Sequence, residues 1–205
     1  MIIDNESYQL GEKNYVQIES NKKLIVLGHT NYSEMKHFIG WQKRMGGAYK
    51  KTAHFTILTD GTIYQHFDSK YSSRYFNNQS LNKKSVIILL ENEGYLIKDS
   101  ESNEFITWLG DIYKEKNNVI DKKWRNLNFW VGYSQEQFES AINLVNYLCI
   151  KHEIPKKTMN HNTKVNDLGD FSGVLYKANL EKYYTDLNPS WDFQLFKTKI
   201  ENDER

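Results

Sequence analysis

One cysteine and two prolines are all that 205 residues contain of the two residue types that most rigidly fix a chain. The lone thiol, Cys149, excludes an internal disulfide and any zinc site built from a cysteine cluster. It falls on the apolar face of an expected helix and reads as a buried structural thiol. With so little proline and no low-complexity stretch, nothing marks a linker, and the length suits one domain with a sizeable core. An excess of one charge is missing too. Lys and Arg number 27 against 26 Asp and Glu, for a net charge of +1. That balance removes the general electrostatic case for nucleic acid or an acidic membrane as partner. No apolar run approaches the ~20 residues that would span a bilayer. The start, Met1 to Glu6, carries no basic stretch followed by an apolar one. A cytoplasmic location, or export without a Sec signal, is the expectation.

What the chain does have is aromatic rings, 14% of its residues, with 14 Tyr and 5 Trp. Such rings suit carbohydrate or peptide grooves, and equally a tyrosine-rich core. Residues 23–27 read as a buried strand stopped by Gly28. Residues 34–45 place Met35, Phe38, Ile39 and Gln42 at helical spacing, closed by Gly46-Gly47. Residues 53–58 and 62–67 read as strands joined by Thr59-Asp60-Gly61, a strong hairpin signal. Residues 85–90 are apolar throughout after Ser85, as in a central strand covered on both faces. Phe105, Ile106, Leu109 and Ile112 suggest a helix over 103–113. The clearest helix is 134–152, with a capping-box pattern at Ser134 and Gln137 and an apolar stripe from Phe138 to Cys149. Lys151 and His152 end it as cations at the negative end of its dipole, and Pro155 stops it. A short helix is expected over 191–200. The fold class is therefore α/β: a single domain with a central mixed β-sheet flanked by helices.

Two polar groups near the end are hard to explain as structure alone. They are His161, in Asn160-His161-Asn162, and Asp186, in a Thr-Asp-x-x-Pro turn. A zinc hydrolase needs about three protein ligands and an open position for water. Of six histidines, His29, His54 and His161 lie at segment ends where side chains converge. His152 reads as a helix-end cation, His66 as a strand-surface residue and His37 as a partly exposed helix residue. No two histidines have the i, i+4 spacing of a helical metal pair, and Asp186 reads equally as a turn former or helix cap.

The order of motifs resembles the zinc N-acetylmuramoyl-L-alanine amidases that share a fold with peptidoglycan recognition proteins. Gly28-His29-Thr30 resembles that family's His-His-Thr strand end. Ala53-His54-Phe55 and Asp60-Gly61-Thr62-Ile63-Tyr64 resemble its Tyr-His-Phe strand and hairpin. Residues 85–92 resemble its central strand, Tyr133 to Pro155 its long helix, and His161 with residues 185–193 its closing motif. The resemblance runs over residues 22–196 of a single amidase-like domain, with insertions near 95–132 and 164–183. It implies a zinc ion held by His29, His161 and Asp186, with Glu91 or His54 handling protons and Tyr184 assisting an oxyanion. The implied partner is peptidoglycan or a muropeptide, and the implied reaction is cleavage of the bond between muramic acid and L-alanine. Four positions depart from the family. Gly28 replaces its first ligand, Ala53 a tyrosine, Leu89 a proposed base and Tyr184 a lysine. These departures suit an alternative: a non-catalytic muropeptide-binding module, or a structural protein of a phage or contractile particle, with a degenerate site.

Overall fold

A computed structural model of the protein describes residues 1–43 and 51–203, without the side chains of residues 41 and 42. The Gly46-Gly47 helix stop lies outside the described residues. The centre is a six-stranded sheet in the order β1-β4-β3-β5-β2-β11. Its strands are β1 (Ile3–Asp4), β2 (Leu24–His29), β3 (Phe55–Ile57), β4 (Ile63–Gln65), β5 (Ser85–Leu90) and β11 (Gly173–Tyr176). β3, β5, β2 and β11 run parallel, and β3 with β4 forms the expected antiparallel hairpin. Every residue of β2, β5 and β11 is buried, as parallel strands covered on both faces must be.

Alternation along those strands divides the core. Ile25, Leu27, Val86, Ile88 and Leu90 face one side, with α3 (Gln135–His152) and α5 (Phe193–Glu201). Leu24, Val26, Ile87 and Leu89 face the other, with Phe38 of α1 (Lys36–Lys43) and a set of tyrosines. Ser134 caps α3 by accepting from the Gln137 N–H at 3.0 Å. The capping box is only half made, because the Gln137 side chain instead donates to the carbonyls of Ile57 and Glu91. α5 takes its cap from Asp192, not Asp186.

The region 95–131 is a second sheet, ordered β8-β7-β6-β10-β9 and antiparallel throughout. It comprises β6 (Tyr95–Lys98), β7 (Phe105–Thr107), β8 (Ile112–Tyr113), β9 (Val119–Trp124) and β10 (Leu127–Val131). The helix expected over 103–113 is thus two strands. Gly110, at φ 89°, closes the turn between them, and Phe105 and Thr107 alternate faces with Ile106 at the period of a strand. Two short helices complete the fold, α2 (Gln79–Lys84) and α4 (Lys177–Leu180). Among the described residues no helix is long and apolar enough to cross a membrane.

Candidate functional site

β2 and β11 end side by side, with Leu27 opposite Tyr176, so residues 28 and 177 are neighbours at the carboxyl edge of the sheet. Asp186 comes back to this point on the loop after α4, its backbone fixed by Ala178 N–H donating to its carbonyl at 2.6 Å. Its carboxylate is only 2% exposed. Oδ2 accepts from the backbone N–H of His29 at 3.2 Å and lies 3.2 Å from Lys177 Nζ. The Lys177 ammonium also sits over two rings, 4.0 Å from the centre of Tyr184 and 5.1 Å from that of Tyr75.

Burial is the largest single influence on Lys177 and works against its charge. The Asp186 carboxylate and the hydroxyl of Tyr75 outweigh it, holding the lysine above its ordinary value. Burial pushes the Tyr75 hydroxyl up to about 12. The buried centre is therefore an ion pair of Lys177 with Asp186 beside the neutral phenol of Tyr75. Gly28 makes the close approach possible: a Cβ there would stand 2.6 Å from Asp186 Oδ2 and 3.3 Å from the Tyr75 hydroxyl.

Of the six residues the sequence places at a catalytic centre, the structure brings Asp186, Tyr184 and the His29 backbone together and sets His54, Glu91 and His161 elsewhere. β2 pairs with β5 without a register shift through Gly28↔Leu89 and His29↔Leu90. No bulge at Gly28 redirects His29, whose side chain leaves the sheet on the face opposite position 28. Its buried ring has neither nitrogen hydrogen-bonded. Burial, the largest influence, and the nearby Lys177 charge lower its pKa against Asp186 and the Thr185 backbone, which favour the charged form. His161 is exposed; its Nδ1 accepts from Thr163 N–H at 3.2 Å, and Asn179 holds its carbonyl at 2.8 Å. Among the described residues no three His, Cys, Asp or Glu side chains come together as a metal site. The donors do not fit zinc: Asp186 is engaged by Lys177, position 28 has no side chain, and His161 stands apart.

The proposed proton carriers are tied elsewhere. His54 is fully buried; Nδ1 accepts from Ile87 N–H at 2.9 Å and Nε2 donates to the Tyr71 carbonyl at 3.1 Å. Glu91 accepts from Glu34 N–H and from both the N–H and hydroxyl of Thr59, which makes it a loop clamp. Tyr184 alone of the three stands at the centre. Lys177 is the residue the sequence reading missed. Its signal is the strand Gly173–Tyr176 directly before it, within the stretch 164–183 expected as an insertion.

The other histidines also differ from expectation. His37 and His66 are buried and joined through the Thr56 hydroxyl, at 3.1 and 2.8 Å. Burial lowers the His152 pKa to about 4, so it shares a 2.8 Å hydrogen bond with the Ser69 hydroxyl as a neutral ring, not as a helix-end cation.

A cleft of about 310 Å³ opens over the pair, bordered by Tyr32, Tyr75, Leu89, Trp108 and Tyr184. A wider groove of about 690 Å³ continues beyond Tyr184 between α2 and residues 164–168. The second sheet frames the cleft from two sides. Trp108 donates its indole N–H to the Asn31 carbonyl at 2.8 Å and sets its ring edge-on to Tyr32 at 5.5 Å. Arg125, in the β9–β10 turn, donates to the carbonyls of Lys182 and Tyr184.

The family profile described as N-acetylmuramoyl-L-alanine amidase matches residues 19–170, well over half of the chain. Lys177 and Asp186 lie beyond the matched span. No curated relative matches the chain. Similar solved structures include the N-acetylmuramoyl-L-alanine amidase LysC from Clostridium intestinale. It is 16% identical with a TM-score of 0.56, covering 98% of this chain and 97% of that one. The hydrolase AmiA from Staphylococcus aureus, in complex with its ligand, is 9% identical with a TM-score of 0.55, covering 98% and 82%. AmpDh3 from Pseudomonas aeruginosa, in complex with an anhydromuramic pentapeptide, is 12% identical with a TM-score of 0.54, covering 97% and 66%. At these identities the structures speak for the fold. Together with the profile they bear out the amidase-like reading and support an amidase-like peptidoglycan hydrolase function. The chain belongs to the N-acetylmuramoyl-L-alanine amidase family, whose members are generally zinc-dependent.

Proposed function

We propose that the protein recognises peptidoglycan-derived muropeptides in this cleft without cleaving them through a zinc ion. The observation that carries this reading is the Lys177 ammonium 3.2 Å from Asp186 Oδ2, beside a residue 28 that has no side chain. Among the described residues Asp186 is the one carboxylate at the centre, and a cation already engages it. Family membership and the anhydromuramic pentapeptide held by AmpDh3 support the choice of ligand. Four aromatic residues around the opening supply the large, rigid contact area that a sugar–peptide needs.

Protein purified without added metal is analysed for zinc, then incubated with muropeptides with and without zinc and a chelator. Mass spectrometry follows the substrate, and calorimetry follows binding. The expected result is no stoichiometric zinc, unchanged muropeptide and saturable binding. A second reading, hydrolysis by a zinc amidase, is favoured by the family match over residues 19–170. Cleavage that the chelator abolishes would establish it and overturn the first.

A further inference from the structure

Among the described residues three lysines border the cleft, Lys36, Lys51 and Lys177, and no aspartate or glutamate lines it. Their charges are unequally balanced. Lys177 has Asp186 beneath it. Lys36, at the exposed rim, meets Glu34 at 3.8 Å, a distance and exposure at which an ion pair counts for little. Lys51 is half-buried and has no ion-pair or hydrogen-bond partner among the described residues. Burial first, and then the neighbouring charge of Lys177, lower its pKa. The two ammonium groups therefore sense each other across the opening, and the Asp186 carboxylate pairs with Lys177. An anion placed there relieves that repulsion and meets charged donors in partly desolvated surroundings, where such hydrogen bonds are strongest.

From this arrangement we infer that the cleft is a carboxylate-binding site, in which Lys51 and Lys177 take a free carboxylate of the bound peptide while Trp108 and Tyr184 flank the rest of the ligand. The inference rests on the muropeptide reading and deepens it. It selects the acidic forms of the ligand over forms in which the same carboxyl is an amide, because an amide keeps the shape and loses the charge. The lysine at the sheet edge thereby holds the internal Asp186 and an incoming anion at once.

Calorimetric titration of the full chain with muramyl-L-alanyl-D-glutamate and with its α,γ-diamide, which carries no free carboxylate, tests this. The free acid is expected to bind at least about tenfold more tightly, a preference that shrinks as salt is raised. Lys51→Met, at a half-buried position outside the Lys177–Asp186 pair, is expected to fold normally and bind both forms equally. Equal affinity of the wild type for acid and amide would overturn the carboxylate site and leave the muropeptide reading standing. So would a preference that survives in Lys51→Met. Failure of the wild type to bind either form would sink the muropeptide reading and the inference with it.

Discussion

Replacing Lys177 with methionine removes one charge from the centre at nearly constant shape. What remains is the Asp186 carboxylate, 2% exposed, with one backbone N–H from His29 at 3.2 Å as its compensation. Deleting one partner of a buried ion pair costs about 3–5 kcal/mol, because the survivor stays desolvated and unpaired. In a domain of this size about 2–4 °C of melting temperature is lost per kcal/mol. The Lys177→Met midpoint should therefore fall by about 6–20 °C. The double variant Lys177→Met, Asp186→Leu removes both charges and fills the space with apolar atoms. It should recover most of the loss, since well-packed apolar replacements of buried pairs are often neutral or stabilising. Urea unfolding of wild type, both single variants and the double variant closes a cycle that isolates the coupling. If Lys177→Met costs less than about 1 kcal/mol and the double variant is no more stable than either single one, the pair is not what fills this site.

Three other outcomes are expected. Gly28→Ala should destabilise by about 1–3 kcal/mol in the same denaturation assay, since its Cβ would come within 2.6 Å of Asp186 Oδ2 and overpack the centre; an unchanged midpoint would show that the carboxylate moves freely. Trp108→Ala should weaken muropeptide binding in calorimetry about tenfold while shifting the melting temperature little, because the ring is 40% exposed. Burial lowers the pKa of His37 to about 3 and of His66 to about 4. Their folded values lie below the unfolded one near 6.5, so the unfolded chain binds protons first; the stability is full above that pH and is lost as pH falls towards 4. Thermal scans at pH 7 and 5 should show a loss of about 2 kcal/mol for each of these buried rings, and a flat profile would contradict their burial as neutral groups.

Residues whose neighbours are local or strictly periodic could be read from the chain. The uniformly apolar 85–90 strand, the Asp60-Gly61 hairpin and the 134–152 helix all have signals carried by a few adjacent side chains. The 103–113 stretch could not be read, because its apolar residues fit a helical stripe as well as a strand pair. Only the cross-strand partners in β6, remote in sequence, settle it. The site was half legible. Asp186 stood out as a polar residue in a defined turn, and Gly28 as a gap where a ligand was expected. Lys177 did not, since a lysine after a short strand looks like any solvent-facing residue. Its role depends on β11 docking beside β2, a contact between residues about 150 apart in the chain. His161 attracted notice for the converse reason: a histidine is conspicuous in sequence wherever it points.

The Lys177–Asp186 pair also has a consequence for how the protein meets its surroundings. A centre whose positive charge is a metal ion can be emptied by a chelator, filled by a competing metal or starved when zinc is scarce. Here the cation is part of the polypeptide and is made with it. On the proposed binding reading, the cleft acquires its charge at the moment of folding and keeps it whatever the metal supply, so its readiness to bind is set by synthesis alone.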